Sequence, residues 1–197
     1  MEQSTLQHML LQHALPLVSF EGWTEAMLRH AAEEAGLAET EVIRAFPGGV
    51  VEAVDCFTRE ADHRMIEAIQ ALNLSSMKIR ERIAESVWLR LEQNMPHREV
   101  IRRACAFYAL PQHAPHALKS LYHTVDDIWY AIGDTSTDFN FYTKRLLLAG
   151  VYSSTLMHWL NDDSPGQEAT RAFLYRRIAD VMQIQKARLR LKEVLSG

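Results

Sequence analysis

Apolar side chains recur every three or four positions along almost the whole chain, and no alternation of period two persists over a useful length. A period between three and four residues places apolar side chains on one face of a helix, whereas a period of two is typical of strands. Most of the six prolines and eight glycines lie between these periodic stretches, where they end helices. The pattern therefore predicts an all-α fold.

The periodic stretches divide into nine helices. Their approximate predicted bounds are 3–18, 25–35, 39–46, 50–72, 79–95, 101–108, 118–132, 138–161 and 167–195. Thr24 is a good N-cap for the second helix, and Gly36 permits that helix to stop sharply. Residues 146–152 of the eighth helix are apolar on every side, which predicts that neighbouring helices or a second subunit cover it.

The second and third helices form a helix-turn-helix pattern. Ala32, Gly36 and Val42 stand where such units place a small residue, the glycine of the turn and a core aliphatic side chain. A proline closes the third helix, and a long fourth helix follows. Residues 1–72 thus resemble the head of the tetracycline-repressor family, with a helix-turn-helix-like module at 1–49 and a long connecting helix after it.

The charge of this head argues against nucleic acid as a partner. The predicted recognition helix carries Glu39 and Glu41 against Arg44, and the helix before it adds Glu33 and Glu34. Proteins that read DNA gain much of their affinity from cationic and polar contacts with phosphates, which this surface and a net charge of -4 do not favour. No nucleic acid is therefore expected as a partner. A ligand-responsive transcriptional regulator is kept as the alternative function.

Several short motifs follow one another in the second half of the chain. They are Leu110-Pro111 with Pro115, Val125-Asp126-Asp127-Ile128-Trp129, Gly133-Asp134-Thr135-Ser136-Thr137-Asp138-Phe139-Asn140-Phe141-Tyr142-Thr143-Lys144-Arg145, and Asp163-Ser164-Pro165. The long string is specific, because chance rarely produces it. Together with Gly22-Trp23-Thr24 at the start of the second helix, these motifs resemble the coenzyme Q biosynthesis protein nine family over nearly the whole chain.

The resemblance implies a non-enzymatic accessory protein of ubiquinone biosynthesis. It implies a tetracycline-repressor-like fold in which residues 73–197 form a body that binds lipids and makes a homodimer, in one compact unit with the head. The lipids implied are ubiquinone precursors, isoprenoids and phospholipids. The resemblance also implies a partner, the demethoxyubiquinone hydroxylase, to which the bound lipid is presented.

A partner-binding patch is a further implication of the resemblance. Its residues are Leu91, Ile128, Asp138, Phe141, Tyr142 and Arg145. The family commonly has tryptophan at the position of Phe141 and methionine at that of Ile128, and both replacements keep an apolar contact. Independently, Phe139, Phe141 and Tyr142 cannot all face one side of a helix, so at least one ring is expected to face solvent or a partner. Helix capping is the alternative role of Asp138.

Bulky apolar side chains on helices five to eight are the candidates for lipid binding. They are Trp88, Met95, Phe107, Tyr108, Leu121, Tyr122, Val125 and Trp129. Periodicity does not distinguish a filled core from a pocket, so the choice of a pocket rests on the resemblance. The dimer is expected through helices eight and nine, where Phe173, Leu174 and Ile178 add to the apolar stretch.

The sequence offers no motif for catalysis, and we expect no catalytic residue, metal or cofactor. It contains neither a glycine-rich phosphate loop nor a nucleophile elbow. Glu60 and His63 form a single Glu-x-x-His, whereas a di-iron bundle needs two. His113 and His116 lack further ligands at zinc-like spacing and are expected to be solvated loop residues.

Localisation is expected in the bacterial cytoplasm, with transient contact at the periphery of the inner membrane. The first residues resemble neither a secretion signal nor a mitochondrial transit peptide, and no apolar run approaches the roughly 20 residues of a spanning helix. Cys56 and Cys105 are expected to be small buried thiols in a reducing compartment. The basic segment 184–195 fits either a helix C-terminus or a contact with anionic lipid.

Overall fold

A computed structural model describes residues 2–134 and 139–196, with side chains described for 2–134 and 141–183. Within these ranges the chain forms nine α-helices joined by loops and short 3₁₀ turns, and it contains no strand. The helices are α1 (Gln3–Glu21), α2 (Glu25–Glu34), α3 (Glu39–Ala45), α4 (Val50–Gln70), α5 (Ile79–Glu92), α6 (Arg98–Tyr108), α7 (Ala114–Ala131), α8 (Phe139–Trp159) and α9 (Glu168–Ser196). The predicted all-α fold is confirmed.

Two helices contain prolines that the sequence pattern treats as breaks. Pro16 lies inside α1, which continues to Glu21 before Gly22 ends it at a φ of 70°. Pro115 is the second residue of α7, so this helix begins four residues before its predicted start at Leu118. A proline in the first turn costs no hydrogen bond, because the N–H groups there have no partner within the helix.

The turn between α3 and α4 is closed by a side chain from α2. The carboxylate of Glu25 accepts a hydrogen bond of 3.0 Å from the backbone N–H of Val50. Gly49 has a φ of 68°, and a Cβ there would lie 2.5 Å from the same carboxylate. Only glycine fits both the positive φ and the close approach. Thr24 caps α2 as predicted, because its hydroxyl accepts a 3.0 Å bond from the N–H of Met27.

The chain forms two compact units. The first unit comprises residues 1–64 and 93–124, and in it α1 packs against α2, α3 and α6. The second unit comprises residues 65–92 and 125–197, and in it α5, α8 and α9 pack together. The predicted boundary at residue 72 differs from this division because α6 and the start of α7 pack with the head helices. Each of α4 and α7 therefore contributes to both units.

A buried carboxylate secures the connection between α8 and α9. Asp162 accepts hydrogen bonds from the backbone N–H of Ser164 at 2.8 Å and from the N–H and hydroxyl of Thr170 at 2.7 and 2.6 Å. Burial alone would raise the pKa of Asp162, but these bonds favour the charged form and hold its pKa below the usual value. The connection is therefore fixed by polar contacts within the second unit.

The two cysteines are unpaired and half-buried, so they are less buried than predicted. Burial, with the nearby carboxylates of Glu60 and Glu52, raises the pKa of the Cys56 thiol to about 11. Burial also raises the pKa of Cys105. Both thiols are consequently poor nucleophiles at neutral pH.

Candidate functional site

A cavity of about 520 Å³ lies within the second unit. Helices α5, α7, α8 and α9 contribute its wall, which is mostly aliphatic. The apolar lining residues are Ile79, Ile83, Trp129, Ile132, Leu147, Leu148, Val151, Ile178, Val181 and Met182. This volume and lining are typical of pockets that hold a small apolar ligand.

The cavity wall has one charged region. Lys144 on α8 donates a 2.7 Å hydrogen bond to the carboxylate of Asp134, and both residues line the cavity. The Lys144 ammonium also lies 5.3 Å from the centre of the Trp129 ring. Gly133, with a φ of 87°, ends α7 and turns the chain so that Asp134 lies at the wall. Arg80, in the first turn of α5, is the third charged lining residue.

Trp129 contributes an aromatic ring to the wall. Its side chain is only 7% exposed. Its indole N–H is buried, and among the described residues none accepts a hydrogen bond from it. Buried indole N–H groups usually have an acceptor, so this donor departs from the rule.

The eight residues predicted for lipid binding are divided between the units. Trp129 lines the cavity, while Trp88 and Val125 are buried elsewhere in the second unit. The other five lie in the first unit: Met95, Phe107, Tyr108, Leu121 and Tyr122. The pocket was predicted among helices five to eight. The cavity is lined instead by α5, α7, α8 and α9, and α6 does not contribute to its wall. Lipid binding by any of the eight stays a prediction.

The sequence reasoning missed most of the cavity wall for a physical reason. Leu147, Leu148 and Val151 belong to the stretch of α8 that is apolar on every side, and Ile178 belongs to α9. These residues were assigned to a dimer interface because an all-apolar helix must be covered on every face. The structure covers Leu148 and Val151 within the same chain.

An exposed apolar face runs along α8. Tyr142 is 70% exposed and Leu146, one turn later, is 75% exposed. This confirms the prediction that at least one aromatic ring of the motif faces away from the core. Phe141 is half-buried and packs edge-to-face with Tyr142, with ring centres 5.1 Å apart. Tyr142 and Leu146 are the two residues that we call the α8 face.

Arg145 is not an exposed member of this face, because only 6% of its surface is accessible. Its guanidinium donates a 2.6 Å hydrogen bond to Asp126 and lies 3.6 Å from the carboxylate of Asp134. It also lies 3.3 Å from the centre of the Phe141 ring. Arg145 therefore fixes α7 and Phe141 beneath the α8 face, and a direct contact with a partner would require it to move.

The remaining predicted partner residues are distributed differently. Leu91 and Ile128 are buried in the second unit and supply no exposed surface in this conformation. Asp138 lies outside the described residues. The assignment of all three to a partner interface stays a prediction.

The first unit holds a cluster of polar side chains between α4, α6 and α7. Asp55 accepts hydrogen bonds from the hydroxyl of Tyr108 at 2.5 Å and from the ring nitrogen of His116 at 2.7 Å. Burial, followed by the bond to Asp55, raises the pKa of Tyr108. His113 stacks on Phe107 with ring centres 4.0 Å apart. His113 and His116 are partly exposed, as predicted, but His116 lies on α7 rather than in a loop, and each has a specific partner.

The helix-turn-helix region presents an acidic surface, as its sequence indicates. Glu33, Glu34 and Glu39 are exposed, as is Arg44. Glu41 accepts a 3.0 Å hydrogen bond from the backbone N–H of Ala38 and so caps α3. Glu41 therefore has a local structural role.

Metal-binding side chains do not converge in the described part of the chain. No group of three or more histidine, cysteine, aspartate or glutamate residues there could hold a metal ion. Glu60 lies 3.3 Å from His8, whereas His63 is exposed. Among the helices described, none is long and apolar enough to span a bilayer.

Comparison with known proteins gives a consistent set of relatives. A sequence profile of the COQ9 family matches residues 114–185. The chain is 32% identical over 188 residues to the mitochondrial ubiquinone biosynthesis protein COQ9 of Rattus norvegicus, which covers 92% of this chain and 60% of that protein. The human protein of the same name is 32% identical over 191 residues, covering 92% and 59%. The COQ9-B protein of Xenopus laevis is 30% identical over 201 residues, covering 98% and 67%.

The chain thus spans about three fifths of the length of the first of these relatives. A TetR transcriptional regulator from Nitrosomonas europaea has a similar solved structure, with a TM-score of 0.72. The match covers 89% of this chain and 97% of the regulator, at 19% sequence identity. At that identity the likeness supports the fold and leaves function to other evidence.

Proposed function

Because the chain belongs to the COQ9 family, we propose that it is a non-enzymatic accessory protein of ubiquinone biosynthesis. It binds a lipid in the cavity of the second unit and presents that lipid to the demethoxyubiquinone hydroxylase. The observation that carries the proposal is the largely apolar cavity of about 520 Å³ within the most characteristic part of the sequence. The ligand class is an isoprenoid or acyl chain, such as a ubiquinone precursor or a phospholipid.

A pair of neighbouring substitutions on α8 tests the lipid site. Leu147 lines the cavity, whereas Leu146 is exposed. Leu147→Trp should fill part of the cavity and reduce lipid uptake by the delipidated protein at least tenfold. Leu146→Trp adds the same side chain outside the cavity and should leave uptake within about twofold. Equal uptake by both variants, measured by native mass spectrometry, would refute the cavity as the lipid site.

The hydroxylase is proposed to dock on the α8 face. Tyr142 and Leu146 present apolar surface one turn apart, and the ion pair of the buried Arg145 with Asp126 holds the helix beneath them. Exposed aromatic side chains above a fixed base are typical of interface anchors. The α8 face lies on the same helix that lines the cavity. Docking on this face would therefore bring the enzyme near a bound lipid. Asp138 is retained as a candidate contact.

A homodimer through α8 and α9 is proposed as the working assembly. Met157 on α8 is an exposed apolar side chain that an interface could cover. Light scattering at micromolar concentration should show the dimer, and Met157→Arg should dissociate it. A monomeric wild-type chain under these conditions would refute the assembly.

Location and membrane contact follow from the proposed role. The chain is proposed to act in the cytoplasm and to touch the inner membrane transiently. Basic residues of 186–192 are the candidate contact, and their side chains lie outside those described. Sedimentation with vesicles of anionic lipid, at low and high salt, tests this contact.

Transcriptional regulation is the less favoured alternative. This alternative is based on the repressor-like fold, which the regulator of 19% sequence identity shares. The exposed Glu33, Glu34 and Glu39 oppose it, because they would repel DNA phosphates. Catalysis is not part of the proposal, since the cavity combines aliphatic side chains with ion-paired ones and lacks a motif for a reaction.

A further inference from the structure

The carboxylate of Asp134 contacts both the cavity wall and the support of the α8 face. Its Oδ1 accepts a 2.7 Å hydrogen bond from the ammonium of Lys144, and both residues line the cavity. Its Oδ2 lies 3.6 Å from the guanidinium of Arg145, which is not a lining residue. The Asp134 side chain is only 8% exposed. One buried carboxylate therefore joins a cation of the cavity wall to a cation beneath the α8 face.

The end of α7 holds Asp134 in this position. Its backbone N–H donates a 2.9 Å hydrogen bond to the carbonyl of Trp129, and the N–H of Gly133 donates a 3.0 Å bond to the carbonyl of Tyr130. These two bonds, with Gly133 at a φ of 87°, form the Schellman motif that commonly ends a helix. The position of the carboxylate is thus set by α7, whereas both of its cations lie on α8.

Arg145 connects Asp134 to the α8 face. Its guanidinium donates a 3.3 Å hydrogen bond to the backbone carbonyl of Phe141 and lies 3.3 Å from the centre of that ring. Phe141 in turn packs against Tyr142, whose side chain is exposed. A change in the strength of the contact between Arg145 and Asp134 is therefore transmitted to the exposed ring of Tyr142.

A lipid chain in the cavity acts on this carboxylate by excluding water. Less water at the wall that Lys144 and Asp134 share lowers the local dielectric constant, which strengthens the attraction between opposite charges. Removing water from charges also has a cost, but Asp134 loses most of its water on folding, because its side chain is already buried. The net effect is that a bound chain holds Asp134 and its two cations together more firmly than water does.

We propose that Asp134 is a positioning residue that couples occupancy of the cavity to the α8 face. A bound lipid strengthens the ion pair of Asp134 with Arg145, which fixes the start of α8 and orders Tyr142 for the partner. By thermodynamic linkage, a partner on the α8 face raises the affinity of the cavity for lipid by the same factor. This inference rests on the proposed function and adds its regulation: the hydroxylase binds the loaded protein in preference to the unloaded one.

The affinity of the hydroxylase for the full chain, measured with and without a lipid probe, tests the coupling. The probe is farnesene, an isoprenoid hydrocarbon without a quinone ring that the hydroxylase could bind directly. Isothermal calorimetry should show that farnesene tightens hydroxylase binding about fivefold in the wild-type chain. Asp134→Asn removes the charge that the two cations share, so it should reduce this factor to less than about twofold.

Two matched substitutions separate the coupling from a general loss of charge. Asp180→Asn changes an exposed aspartate of the same unit, which pairs with Arg177 at 2.7 Å, and should keep the full effect of farnesene. Asp126→Asn breaks the other ion pair of Arg145, which lies outside the cavity wall. It should weaken hydroxylase binding with and without farnesene and leave the ratio at about fivefold. Thermal melting checks that each variant folds.

The wild-type chain alone can already refute the coupling. If farnesene and the hydroxylase both bind but neither changes the affinity for the other, the coupling is wrong while the proposed function stands. An equal effect of farnesene in wild type and in folded Asp134→Asn would remove Asp134 as the link. If farnesene or the hydroxylase does not bind the wild-type chain at all, the proposed function fails and this inference fails with it.

Discussion

The two units differ in what their interiors contain. In the first unit the carboxylates of Asp55 and Asp62 are matched by donors, Tyr108 and His116 for the former and Thr124 for the latter. In the second unit a largely apolar cavity remains among α5, α7, α8 and α9. The second unit therefore has room for another molecule.

The largest expected effect tests the self-sufficiency of the first unit. Asp62 is completely buried, bonded to Thr124 at 2.9 Å and Arg59 at 3.2 Å. Asp62→Ala leaves these donors without the carboxylate and should lower the free energy of unfolding by about 3 kcal/mol. Chemical denaturation measures the loss. Lipid bound per folded molecule should stay unchanged, and a selective loss of lipid would contradict the division of roles.

The next effect concerns the exposed α8 face. Tyr142→Ala should weaken binding to the hydroxylase by about 2 kcal/mol, or roughly thirtyfold, because it removes an exposed aromatic anchor. Stability should change by less than about 0.5 kcal/mol, since the side chain packs little surface in the free chain. Phe20→Ala, an exposed aromatic position in the first unit, is the matched control. Equal affinities for both variants, by isothermal calorimetry, would remove Tyr142 from the interface.

A smaller effect, dependent on pH, tests the polar link between α8 and α9. Asp162 has a lowered pKa in the folded chain, so its contribution is fully present above the ordinary value of 3.8 and is lost as the pH falls further. Asp162→Asn should cost about 1 kcal/mol at pH 7. The difference from wild type should shrink in denaturation experiments as the pH falls below 3.8, because the carboxyl then gains a proton in the unfolded chain before it does in the folded one. A constant difference would mean that charge is irrelevant to this contact.

The smallest effect is expected for DNA. Exposed glutamates on α2 and α3 predict no tight binding to any operator. Gel shifts at low salt, with wild type and a Glu33→Lys, Glu34→Lys double variant, measure this. Strong and salt-sensitive binding by the wild-type chain would show that the first unit retains the function of its repressor-like shape.

The sequence predicted the positions of the helices well and the packing between them poorly. Periodicity, Thr24 and the turn glycines located nine helices, because capping and amphipathicity act within a few residues. The unit boundaries and the α9 side of the cavity depend on which helices meet, which local patterns do not encode. Pro115 shows the same limit, since it lies in the first turn of α7, where a helix tolerates proline.

The site was predictable only in part. The motif around Tyr142 identified an exposed aromatic side chain, since three neighbouring rings cannot all be buried on one helix face. Arg145 looked like a rim charge in sequence, yet it is buried between Asp126 and Phe141. Ile178 on α9 lines the cavity with Trp129, but the two are 49 positions apart in the chain. Such a pairing requires the tertiary structure.

The most direct test of the central claim is a crystal structure of the chain with a bound short-chain ubiquinone. The account predicts that the isoprenoid tail lies among Ile83, Leu147 and Ile178 in the second unit. Quinone bound in the first unit, with the cavity of the second unit closed or filled by side chains, would contradict it.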